Sequence, residues 1–181
     1  GATLTRGVTT LSSSRIGIEL AVACAAAAAS PVIELHIHKD DGTTLYQGQV
    51  RYSPYLGLAT YRDPSTGWGT FMSRVKDFQS PTQWGKLKFV VDLGTNKHSH
   101  FLVHGDKTDL SAYGLVTGAS AGVRRGCVEV KVFTQVASAQ TAWIEDSRFQ
   151  IGYSTPRRME KLYFLSLTGM SRSDISPSTQ F

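Results

Sequence analysis

The residues of this chain best suited to chemistry are its histidines. The stretch "ELHIHKDD", residues 34–41, sets His36 and His38 two apart ahead of Asp40 and Asp41, and "NKHSHFLVHGD", residues 96–106, adds His98, His100 and His104. Neutral imidazole nitrogens and carboxylate oxygens are ordinary ligands of a transition metal, so each stretch has the makings of half a metal site. Ser99 lies between two histidines, with Asp92, Asp106 and Asp109 close by, which supplies the residue types of a nucleophile, a base and an orienting acid. Position along a strand decides which of these side chains share a face, and that comes before any chemistry.

The elements that carry them are strands. In "PVIELHIHKD" the residues Ile33, Leu35 and Ile37 fall on one face, and Glu34, His36 and His38 on the other. Asp40-Asp41-Gly42 then predicts a hairpin turn into "TLYQGQVRY". "WGKLKFVVDL" sets Leu87, Phe89 and Val91 against Lys86 and Lys88; "GCVEVKVFTQV" turns Val128, Val130 and Val132 inward and Glu129 and Lys131 outward. "WIEDSRFQIGY" and "EKLYFLSLTG" read as the last two strands. "RIGIELAVACAAAAASP" ends in small residues as a signal peptide does, but Glu19 interrupts it and it is too short to span a membrane, so it is read as a strand. The Pro- and Gly-bearing stretches "YRDPSTGWGTF" and "FQSPTQ" are expected as long surface loops, with short helices placed within 71–79 or 108–116. About eight to ten strands with no internal repeat predict an all-β protein. The expected fold is an antiparallel β-sandwich, an eight-stranded jelly roll, forming a single domain over residues 1–181, with an N-terminal extension at 1–13 and a C-terminal tail at 169–181.

Set against the cupin metal motif, His36-Ile37-His38 is followed by Asp41 and Gly48, where that family has a glutamate and a glycine. Asp92-Leu93-Gly94-Thr95-Asn96-Lys97-His98 lacks the proline of the second cupin motif and is one residue too long. Cupin ligands point into the barrel with the apolar side chains, whereas here the histidines fall opposite Ile33, Leu35 and Ile37. No metal ligand is therefore expected. No G-x-S-x-G elbow, P-loop or Rossmann glycine pattern occurs, so no catalytic residue and no cofactor are expected, and the chain is not read as an enzyme.

Composition bounds the remaining classes. A hydrophobic fraction of 41% and a charged fraction of 18%, with 17 glycines, describe a folded chain rich in turns. The net charge of +5 is dispersed in small pairs such as Arg124-Arg125 and Arg157-Arg158, so contact with a polyanion such as RNA would be diffuse. Cys24 and Cys127, the only cysteines, are expected as buried free thiols. Trp68, Trp84 and Trp143 sit at strand ends or turns, where such rings mostly pack under the neighbouring loop; exposed, they would offer a platform to sugars or nucleobases.

Two stretches carry a family resemblance. "QWGKLKFVVDL", residues 83–93, is similar to the Trp/Gly-led strand of picornavirus-like coat proteins, with Trp84 directly abutting Gly85 where that strand has a spacer. Residues 124–153, "RRGCVEVKVFTQVASAQTAWIEDSRFQIGY", resemble the late pair of strands joined by a loop. The chain thus resembles a jelly-roll capsid protein, most like the small coat proteins of plant secovirids of the cheravirus type. The resemblance implies a structural subunit of an icosahedral virion that packs with other capsid subunits around single-stranded RNA, with no membrane partner, and is found in the virion and in the host cytoplasm during assembly. A start at Gly1 suits release from a polyprotein, and Ala25–Ala29 a close approach of a neighbouring backbone. His36, His38, His98 and His100 would then make subunit contacts that weaken near pH 6. The alternatives weighed beside it are a lectin-like carbohydrate-binding sandwich built around Trp68, and a cupin-like metal-binding protein.

Overall fold

Period-two alternation runs through most of the molecule. The computed structural model describes residues 2–8, 15–24, 31–73, 84–134, 142–152 and 160–161. Among them are thirteen strands: β1 (Ala2–Val8), β2 (Arg15–Cys24), β3 (Pro31–Asp40), β4 (Thr44–Ser53), β5 (Leu58–Asp63), β6 (Gly67–Ser73), β7 (Gly85–Asp92), β8 (Lys97–Val103), β9 (Asp106–Asp109), β10 (Val116–Ala119), β11 (Arg125–Thr134), β12 (Ala142–Gly152) and β13 (Glu160–Lys161). The described residues hold no helix: 71–73 complete β6, and 108–116 run from the end of β9 through a turn into β10. None of them therefore forms a helix long and apolar enough to cross a membrane.

The strands form two antiparallel sheets. The first has the order β1-β11-β3-β4-β5-β6, with β10 beside the first half of β4; the second has the order β13-β12-β2-β7-β8-β9. β1, β2 and β3 alternate between the sheets, and β11 inserts between β1 and β3 as a jelly roll requires. The strand count exceeds eight because β3 to β6 and β7 to β9 each run as a meander within one sheet. Residues 2–8, expected within an extension, pair with β11. The tail at 169–181, the Ala25–Ala29 run and "FQSPTQ" lie outside the described residues.

The two inner faces meet in one core. Ile33, Leu35, Ile37, Val50, Tyr52, Val128 and Val130 come from the first sheet, and Ile16, Ile18, Leu20, Leu87, Phe89, Val91, Phe101 and Val103 from the second. Burying each large apolar side chain stabilises the fold by roughly 1.5–3 kcal/mol, which fixes the register of both sheets.

Aspartates shape the hairpins. The Asp41 carboxylate accepts from the Thr43 and Thr44 amides at 2.9 and 2.8 Å, while Gly42 takes the positive φ of 93° that the β3–β4 turn needs. Asp63 repeats this on the Ser65 and Thr66 amides at 2.9 and 2.8 Å. "YRDPSTGWGTF" is accordingly a tight β5–β6 hairpin instead of a long loop, and Trp68 stands at the start of a strand.

Candidate functional site

The outward face of the first sheet holds His36 and His38 among the outward side chains of the strands beside them. Register sets them in rows across the strands. Glu129, His36 and Gln49 lie opposite one another on β11, β3 and β4, and Cys127, His38 and Gln47 form the next row. A third row runs Lys131, Glu34, Arg51, Thr60 and Thr70, and Arg62 of β5 faces Trp68 of β6.

His36 and His38 do lie opposite the apolar face of β3, as alternation predicts, but they are not bare to solvent. Glu34 and His36 are each only 5% exposed. Long neighbours cover them, an effect that face parity cannot reveal. His36 Nε2 donates to Glu34 Oε2 at 3.0 Å, and its Nδ1 lies 3.4 Å from Glu129 Oε2. His38 Nε2 is 3.9 Å from the same oxygen, and Lys131 Nζ approaches it to 3.1 Å. Arg51 Nε donates to the other oxygen of Glu34. Burial alone would raise the Glu34 pKa, but the hydrogen bonds from His36 and Arg51 outweigh it and hold the carboxyl below its ordinary value.

Arg51 also reaches the aromatic end of the face. Its guanidinium carbon sits 3.7 Å over the Trp68 ring centroid, and that of Arg62 lies 5.8 Å away. Gln49 Nε2 donates to Gln47 Oε1 at 3.2 Å, which sets an amide pair beside this stack. The result is a strip with a half-buried indole at one end, amides and guanidinium groups in the middle, and a histidine–carboxylate cluster at the other. Arg51, Arg62 and Glu129 escaped notice as site residues. Their only sequence signal was the outward phase that they share with the histidines along β4, β5 and β11.

The second histidine group disperses. His98 is fully buried, against the Phe89 and Tyr61 rings at 5.8 and 5.9 Å, and its Nδ1 donates to the Tyr113 carbonyl at 3.2 Å. The expectation that His98 faces outward to make a subunit contact is thus corrected: its side chain lies in the core. The β7–β8 register slips between Val90 and Val91, which pair with His100 and His98, and the bulge at Ser99 flips the alternation. His104 occupies the β8–β9 turn with a φ of 54°. Ser99 Oγ meets His100 Nδ1 at 3.0 Å, but Asp109 accepts from the Ser111 amide and Asp92 from the Gly94 amide, so both carboxylates serve turns. Cys127 is a half-buried free thiol whose pKa is raised by burial and by Glu129. Trp84, expected beneath a loop, is 41% exposed; Trp143 lies in β12, and its side chain is outside the described set.

Burial pushes the pKa values of His38, His98 and His100 below the ordinary histidine value, and Lys107, Lys88 and Arg15 help to bring His100 down to about 4. The unfolded chain takes up these protons near pH 6.5 while the folded chain does not, so stability is complete above that pH and falls as the pH drops toward 4. Thermal melts are expected to show this decline, and His100→Gln should flatten its lower part.

No protein-family model matches the chain, and no curated protein matches it. Among solved structures it is similar to a galectin of Caenorhabditis elegans at 14% identity and a TM-score of 0.37, over 72% of this chain and 91% of that one. It is similar to sheep galectin-11 at 12% identity and a TM-score of 0.31, over 78% of this chain and 95% of that one. For an alginate lyase from Pseudomonas aeruginosa the identity is 17% and the TM-score 0.35, over 67% of this chain and 65% of that one. Likenesses this loose carry no functional weight; the sandwich itself is established by its own two sheets.

Proposed function

We propose that the outward face of the first sheet binds carbohydrate. The observation that carries this reading is the Trp68 indole framed by Arg51 and Arg62 and continued by Gln47 and Gln49. A sugar ring presents an apolar C–H face and a rim of hydroxyls. The indole takes the first once the Arg51 guanidinium moves off its face, while guanidinium forks and primary amides supply donors and acceptors to the second. Rigid strands hold all of these groups, which lowers the ordering cost of binding.

A glycan array followed by titration of tryptophan fluorescence tests this. Binding of at least one oligosaccharide class is expected, with Trp68→Ala weakening it about tenfold or more, the equivalent of about 1.4 kcal/mol. Silence of the whole array, or a Trp68→Ala variant that binds as before, would defeat the reading.

The shell subunit that the family resemblance implies is a second reading. Among the described residues it is favoured by Leu56, Trp84 and Val123, large apolar side chains left in solvent that contacts between subunits would cover. Particle size distinguishes the two, since uniform large shells support assembly whereas a small soluble species that binds glycans supports the first reading alone.

A further inference from the structure

We propose that His36, His38 and Glu129 form a binding site for a divalent transition-metal ion of the zinc class. Their ligand atoms lie within 4.8 Å of one another on the outward face of β3 and β11. Four ligands bound at 2.0–2.1 Å in a tetrahedron stand roughly 3.3 Å apart, by the geometry of zinc sites. The separation of 3.4 Å from His36 Nδ1 to Glu129 Oε2 is already at that length, and His38 Nε2 at 3.9 Å would have to draw in by about half an ångström. Two imidazoles and one carboxylate suit zinc better than calcium or magnesium, which prefer all-oxygen shells.

The surroundings match such a site in a second way. Glu34 accepts from His36 Nε2 at 3.0 Å, which places the ring proton on Nε2 and leaves the Nδ1 lone pair facing Glu129. Arg51 in turn holds Glu34. A carboxylate behind a ligating histidine is the usual support of a zinc ligand, since it fixes the tautomer and the ring plane. All three ligands stand on hydrogen-bonded strands, at i and i+2 of β3 and directly across on β11. Lys131 is the competitor, with its ammonium 3.1 Å from Glu129 Oε2, but its side chain is 36% exposed and can swing into water as the metal enters. Three protein ligands would leave the fourth position of a tetrahedron to a water or an exogenous ligand.

The test is calorimetric titration of the full chain with zinc alone, without sugar, so its outcome is independent of the carbohydrate reading. One zinc per chain is expected. His38→Ala, at a half-buried position where refolding is readily checked by circular dichroism, should weaken binding at least tenfold, and Glu34→Gln by about 10–100-fold as a support residue. No uptake at up to about 0.1 mM zinc would overturn the site. So would uptake unchanged by both His38→Ala and Glu129→Gln, which would place the metal elsewhere.

Discussion

Gly48→Val is expected to destabilise the sandwich by about 3 kcal/mol or more, read as a lower urea midpoint at unchanged slope. Gly48 lies on the inward face of β4, opposite Ile37, and flanked along the strand by Gln47 and Gln49. A Cβ there would stand 2.4 Å from Val91 Cγ1, 3.2 Å from Leu115 Cδ2 and 3.3 Å from Phe89 Cζ. The first distance forces a shift, and Val91 and Phe89 are both fully buried, so neither side chain has room to give. The strain must move β4 outward, which displaces Gln47, Gln49 and Arg51 together. Loss of carbohydrate binding should accompany loss of stability. Gly118→Ala is the control, because its Cβ would meet only Leu45 Cδ2 at 3.9 Å. Equal stability of the Gly48 and Gly118 variants would mean that the sheets do not approach this closely beneath the site.

Local alternation made the all-β sandwich legible. Ile33, Leu35 and Ile37 against Glu34, His36 and His38 needed nothing beyond a period of two, and Asp40-Asp41-Gly42 announced its hairpin. Three features escaped for distinct physical reasons. His98 went into the core because a one-residue bulge at Ser99 reversed the phase of β8, and a bulge leaves no mark in hydrophobic pattern. The β5–β6 hairpin looked like a loop because Pro64, Gly67 and Gly69 are turn residues. Yet Gly69 sits within the strand, where a Cβ would come within 2.8 Å of the Tyr61 ring. The site was half legible. The histidines and Trp68 drew attention by type, whereas Glu129 and Arg51 reach them only through the pairing of β3 with β11 and β4, a non-local register that one sequence does not disclose.

Arg51→Met should cost about 2 kcal/mol near neutral pH, because it strips a charged hydrogen bond from a carboxylate that is almost wholly buried. His36 still donates to Glu34, and Arg51 is itself partly solvated, which keeps the cost below that of a fully buried pair. The sign of the pH dependence follows from Glu34. Its folded pKa lies below the ordinary 4.5, so the stability it confers is present above that value and is lost as pH falls through the folded pKa. Arg51→Met removes much of that contribution, so wild type and variant should differ most near pH 7 and converge in acid. Arg51→Lys separates stability from recognition, since an ammonium can still face Glu34 but lacks the planar fork that lies 3.7 Å over Trp68. The lysine variant is expected to recover most of the stability while binding glycan no better than the methionine variant. A difference between wild type and Arg51→Met that stays constant from neutral pH to acid would trace the effect to packing of the side-chain stem. In that event the Arg51–Glu34 charge pair would not be what orders this face.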